Sequence, residues 1–113
     1  MTEKAERLFE VLKRELQSVC PDAVVIPEER SISYHDPDFF LEVIPRKYGL
    51  GILIDLEFAR SAEISEHLED ASQWTFIMYA AFSGGTYCKV EKEQEIMSIL
   101  PAVRLAHARG AAG

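Results

Sequence analysis

The stretch Asp36–Arg60, DPDFFLEVIPRKYGLGILIDLEFAR, holds two strand-like segments that each set carboxylates into an apolar background. In the first, Asp38, Phe40, Glu42 and Ile44 alternate with Phe39, Leu41 and Val43, and a side-chain period of two puts these sets on opposite faces. In the second, Ile52, Ile54, Leu56 and Phe58 share one face, while Leu53, Asp55 and Glu57 share the other. The run from Pro45 to Gly49 between them reads as a hairpin connection. A carboxylate on so apolar a strand must be solvated, hydrogen-bonded or bound to a cation. A hairpin that brings Asp38 near Asp55 and Glu57 concentrates three negative charges, and a metal ion in the gap would relieve their repulsion. Three such oxygens suit a hard divalent ion, magnesium or manganese.

Upstream of the hairpin, Thr2 is placed to cap a helix running to about Val19, with Ala5, Leu8, Phe9, Leu12, Leu16 and Val19 on one apolar stripe. Cys20-Pro21-Asp22 ends it. Ala23 to Ile26 is a short β-branched strand, and Ser31 to Tyr34 continues it or pairs with it. Downstream, from Ser61, the period changes to 3.6: Ile64, Leu68, Ala71, Thr75, Met78 and Phe82 line up as a helix stopped by Gly84-Gly85. Thr86 to Val90 reads as a further strand. A last helix begins near Lys92 with Ile96, Ile99, Leu100 and Val103 inward and Pro101 placed to kink or divide it. The expected fold class is α/β, one domain over residues 1–107 in the order α-β-β-β-α-β-α, with a mixed central sheet flanked by helices. Residues 108–113 read as a frayed, small-residue tail.

Composition sets the limits. A chain of 113 residues buries about 65% of its unfolded surface, enough for a core. A hydrophobic content of 48% excludes a disordered chain. The longest apolar run, Phe76 to Phe82, is far short of the roughly 20 residues that cross a bilayer, and the N-terminus is amphipathic rather than signal-like. The reading is therefore a soluble, cytoplasmic protein. Cys20 and Cys88 lack metal-ligand spacing and read as two buried thiols rather than a disulfide. A net charge of −7 weighs against nucleic-acid binding through the general field, leaving Arg46 and Lys47 in the hairpin turn as the local basic footprint.

The succession of elements, with Pro37-Asp38-Phe39-Phe40, Tyr48-Gly49-Leu50, Asp55-Leu56-Glu57, Gln73 and Gly84 or Gly85 before Thr86, resembles the VRR-NUC branch of the PD-(D/E)XK nucleases over about residues 36 to 100. The resemblance implies a DNA nuclease that uses magnesium or manganese to activate water against a phosphodiester. It makes Asp38 the first metal ligand, Asp55 the second, and the Leu56 carbonyl the completion of the ion's shell. Glu57 joins them, Gln73 faces the site, and Glu6 or Glu10 from the first helix assists. Arg46 and Lys47 would touch the DNA backbone, and so small a domain would act on branched or duplex DNA as a homodimer.

Two departures bear on activity. The motif lysine, which orients the attacking water, is Glu57 here, an exchange that some restriction endonucleases of similar fold use in catalysis and that a retired site would also show. Asp36 stands where a glycine often precedes the Pro-Asp pair and adds a further charge. The alternative expectation is thus an inactive nuclease-type scaffold that binds and inhibits a protein or nucleoprotein complex, as a phage-encoded counter-defence protein would.

Overall fold

The computed structural model describes residues 1–58, 63–70 and 85–112, the last four by their backbone. Helix α1, Glu3–Val19, begins where the Thr2 hydroxyl accepts from the Ala5 amide at 3.2 Å, so the predicted cap is present. Its buried residues, Ala5, Leu8, Leu12 and Leu16, recur every three or four positions, as an amphipathic helix on a sheet requires. The Cys20 amide closes the last turn on the Leu16 carbonyl at 2.7 Å, and Pro21 follows.

Among the described residues six strands follow: β1 (Val24–Pro27), β2 (Ile32–His35), β3 (Phe39–Arg46), β4 (Gly49–Ile54), β5 (Leu68–Asp70) and β6 (Thr86–Val90). They form one sheet in the order β1-β2-β3-β4-β6-β5. The expected mixed sheet is corrected here, since every strand pairing among the described residues is antiparallel. Short hairpin connections join β1 through β4 in sequence, and such connections permit only antiparallel neighbours. Helix α2, Glu93–Ala112, continues through Pro101. Residues 108–112 are therefore helical rather than a coil, in keeping with Ala106, Ala108, Ala111 and Ala112, the best helix formers.

The main core joins Leu8, Leu12 and Leu16 of α1 and Ile96, Ile99 and Val103 of α2 to Leu41, Val43, Ile52, Ile54, Cys88 and Val90 of the sheet. Register explains the selection: Leu41 pairs with Ile54 and Val43 with Ile52, which in turn pairs with Cys88, so these residues share one face. The opposite face carries a smaller cluster of Leu53 and Tyr87 with Phe39 and Ile44. Ser33, Glu42, Leu53, Tyr87 and Glu69 run across that face in register.

Three local events change the face assignments read from periodicity. A register shift at Tyr34/His35 bulges β3, so that Phe40 joins the main core and lies 5.1 Å from the His107 ring, apart from Glu42 and Ile44. Strand β4 stops at Ile54, because the Leu56 amide turns back to the Ile54 carbonyl at 2.8 Å, and so Asp55 and Glu57 lie beyond the strand. The helix expected from Ile64 is not present at its start: Ser65 accepts from the His67 and Leu68 amides, and Leu68 then pairs with Cys88 on β6. A strand-edge partner thus overrides the local helical period there. The rest of that predicted helix, with Gln73, Trp74, Met78, Phe82 and Gly84, lies outside the described residues.

Candidate functional site

Asp38 stands just before β3, where its carbonyl accepts from the Asp36 amide at 2.9 Å across the turn that leaves β2. Asp55 follows β4, and its amide donates to the Phe40 carbonyl at 2.9 Å, so the hairpin brings Asp38 and Asp55 to the same end of the sheet. Both side chains are exposed, and so is Glu57. Leu56 points the other way. It is buried, and its carbonyl accepts a 2.7 Å hydrogen bond from the Thr86 hydroxyl inside the protein.

A magnesium or manganese ion would need these oxygens to share a focus. The carboxylates of Asp38, Asp55 and Glu57 are exposed, while the Leu56 carbonyl is turned inward and held by the Thr86 hydroxyl. Every Asp, Glu, His and Cys of the chain falls among the described residues, and among these no three gather to hold a metal ion. Glu6 and Glu10 are exposed on α1, and Glu10 lies 3.5 Å from Lys13. Asp36 is taken up elsewhere: its carboxylate meets His107 Nε2 at 2.6 Å, tying α2 to the β2–β3 turn. Gln73 lies outside the described residues.

Arg46 and Lys47 sit at the other end of the same hairpin. Arg46 closes β3, Lys47 and Tyr48 form the turn, and the Lys47 ammonium lies 6.0 Å from the Tyr48 ring centroid. From Phe39 to Arg46 the strand spans about 23 Å at the usual rise. The expected metal residues and the expected DNA-contacting residues are thus set at opposite ends of β3 and β4.

The groups that burial perturbs lie elsewhere. Burial pushes the Cys20 thiol up to about 11, with Asp36 adding to the shift, and the Cys88 thiol up to about 12, with Glu95 and Glu69 adding to it. Both cysteines are free and buried, as their isolation in the sequence implied. Burial raises the Tyr34 phenol to about 12, reinforced by Cys20. On the face away from the helices, burial pushes the Glu42 carboxyl upward, a hydrogen bond from Ser31 opposes this, and Glu28 adds to it. Glu42 Oε1 has no hydrogen-bond partner among the described residues.

One surface stands out that the hairpin reading does not anticipate. Strand β1 lies at the end of the sheet, and among the described residues no strand pairs with its outer side. Its branched aliphatics stay in solvent, with Val24 59%, Val25 48% and Ile26 38% exposed. Pairing of Val25 with Tyr34 turns Val25 toward the helices, while Val24 and Ile26 face the opposite side. Beneath Val25 a groove of about 440 Å³ runs between α1 and β1, lined by Phe9, Lys13, Gln17, Cys20, Val25 and Tyr34. The exposed Asp22 lies before the strand and the exposed Glu28 and Glu29 after it. The signal for this edge was Pro27, because proline within a sheet is confined to edge strands and strand ends.

Comparison with known protein families, curated proteins and solved structures finds no match for this chain. No helix among the described residues is long and apolar enough to cross a membrane.

Proposed function

We propose that this chain works by binding a partner protein along strand β1, and that it does not hydrolyse phosphodiesters. The observation that carries the reading is the run of exposed Val24, Val25 and Ile26 on a strand whose outer side no strand among the described residues pairs with, set above an apolar groove. Sheet edges in soluble proteins are usually blunted by charges, bulges or covering loops, because their free backbone groups recruit other strands. Here Pro27 blunts only one end. An extended segment added to such an edge gains main-chain hydrogen bonds, and pockets for alternate side chains give it selectivity.

The partner segment is defined by what it meets. Its core is extended and apolar, with one side chain in two directed at the groove under Val25. Its flanks are basic, to complement Asp22 at one end and Glu28 and Glu29 at the other, on a chain of net charge −7. This reading shares with the inactive-scaffold alternative only that the chain acts by binding a protein. The metal-dependent DNA nuclease reading has less support, because among the described residues no three acidic, His or Cys side chains gather to hold a metal ion, and the basic pair Arg46 and Lys47 lies at the other end of the hairpin from Asp38 and Asp55.

The test uses a fluorescein-labelled peptide of alternating valine and threonine with paired lysines at each end. Anisotropy is expected to rise on adding the protein, to be lost with Val25→Lys and with Ile26→Pro, and to persist with Asp55→Ala. No rise, or a rise that the edge variants leave intact, defeats the proposal. So does sedimentation showing a dimer that Val25→Lys dissociates, which would give the edge to a second copy. Manganese-dependent cleavage of single-stranded or branched DNA that Asp38→Ala abolishes would restore the nuclease reading.

A further inference from the structure

We infer that the outer edge of β1 is built to take backbone amides from a foreign strand and to refuse a second copy of this chain. This rests on the edge-strand reading and adds which groups that edge leaves open and what they select. Strand β1 pairs with β2 through Val24↔His35, Val25↔Tyr34, Ile26↔Ser33 and Pro27↔Ile32. One step further along, the Glu28 amide donates to the Ser31 carbonyl at 2.8 Å. In an antiparallel ladder, hydrogen-bonded pairs alternate with pairs whose amides and carbonyls point away. Val24, Ile26 and Glu28 therefore turn their backbone groups to β2, where the Ser33 hydroxyl adds a 3.3 Å hydrogen bond to the Ile26 carbonyl.

The outward groups belong to Ala23, Val25 and Pro27, and they are unequal. A trans peptide sets each carbonyl opposite the next residue's amide. With the Val24, Ile26 and Glu28 amides turned inward, the carbonyls of Ala23, Val25 and Pro27 face out, and among the described residues no strand lies beyond them. Of the amides at these positions only that of Val25 is open, because Pro27 has none and the Ala23 amide donates to the Cys20 carbonyl at 3.1 Å. The edge is thus a row of acceptors with a single donor at its centre. The same residues, Ala23, Val25 and Pro27, line the groove beside α1.

A second copy cannot complete such an edge. Two β1 strands meeting antiparallel about Val25 exchange the Val25 bonds, but the next pair sets Ala23 against Pro27, and neither has an amide to offer the other's carbonyl. The same meeting sets the exposed Asp22 of one copy beside the exposed Glu28 and Glu29 of the other, where like charges repel. A foreign extended segment has no such gaps. Its alternate amides reach the carbonyls of Ala23, Val25 and Pro27, one of its carbonyls takes the Val25 amide, and basic flanks meet the acids. The segment must therefore lack proline at the residues that face β1, and it tolerates a blocked amide at the residues between them.

Anisotropy with the lysine-flanked valine–threonine peptide, methylated at one backbone amide at a time, tests the first half. Binding should weaken about tenfold at every second residue, the worth of one hydrogen bond left unmade, and stay unchanged at the residues between. Loss at the valines marks an antiparallel segment with its valines over the groove, and loss at the threonines a parallel one. Equal loss at every position, or none at any, overturns the inference and leaves the groove as the binding surface. An unmethylated peptide that does not bind overturns the edge-strand reading with it. Sedimentation tests the second half. Wild type should run as a monomer, Pro27→Val, which supplies the missing amide, should self-associate, and Val25→Lys added to it should restore the monomer. A wild-type dimer that Val25→Lys dissociates, or a Pro27→Val protein still monomeric at millimolar concentration, overturns the refusal of a second copy.

Discussion

Replacing Gly51 by alanine tests the packing of the sheet face that carries Leu53 and Tyr87. Gly51 lies in the centre of β4, paired with Ile44 on β3 and Lys89 on β6. The added methyl would sit 2.3 Å from the Tyr87 hydroxyl oxygen and 3.0 Å from two ring carbons, well inside ordinary contact. Tyr87 is 1% exposed and packs with Leu53, so it cannot yield without opening the second cluster. Overfilling a packed site of this kind costs about 1–3 kcal/mol. Alanine restricts the unfolded chain more than glycine does, which offsets about 0.4–1 kcal/mol. The net loss is about 1–2 kcal/mol, or about 4–8 °C in Tm for a domain of this size. Thermal unfolding followed by circular dichroism measures it directly. Gly51→Ala combined with Tyr87→Phe removes the closest overlap and should recover part of the loss relative to the sum of the single variants. A Gly51→Ala protein as stable as wild type, or more so, would refute the reasoning, because Tyr87 would then not lie across β4.

Thr86→Val keeps the shape but removes the hydroxyl that serves the Leu56 carbonyl, and about 1–3 kcal/mol of stability should be lost in urea unfolding; an unchanged midpoint would contradict this. Burial raises the Glu42 carboxyl, so its folded form holds a proton more tightly than the unfolded chain, and stability falls as pH rises above the ordinary value of 4.5. Glu42→Gln should therefore melt higher than wild type at pH 7 and together with it at pH 3; equal melting at both would contradict the assignment. With their thiols raised to about 11 and 12 by burial, Cys20 and Cys88 should react with an aromatic disulfide reagent at pH 8 only on the timescale of unfolding, and fast titration of two thiols in the native protein would argue against their burial.

What could be read before the fold was seen, and what could not, divides along sequence separation. Helix α1 was legible because its cap, Thr2, and its stripe of Ala5, Leu8, Leu12 and Leu16 act within a few turns of each other. The strand Thr86–Val90 and the β3–β4 turn at Lys47 and Tyr48 were legible for the same reason. The end of β4 was not, because Leu56 is turned inward by Thr86, a residue 30 positions away. Leu68 fits a helical stripe on spacing alone, and only its partner Cys88 makes it a strand residue.

The candidate site divides in the same way. Asp38 and Asp55 lie at the same end of the β3–β4 hairpin, but where their side chains point depends on the bulge at β3 and the turn at Leu56, which periodicity does not encode. Arg46 and Lys47 were visible as a local basic pair, whereas Lys89 and Tyr87 join them only through the pairing of β4 with β6. The exposure of β1 follows from sheet order, which no local pattern carries beyond the hint of Pro27.

The most direct measurement is amide chemical-shift mapping of the isotope-labelled protein as the lysine-flanked valine–threonine peptide is added. Perturbation should concentrate on Val24, Val25 and Ile26 and on Phe9, Lys13 and Gln17 along the groove, leaving Asp38 and Asp55 in place. Shifts that spare β1, or that centre instead on Asp38 and Asp55 when manganese replaces the peptide, would contradict it.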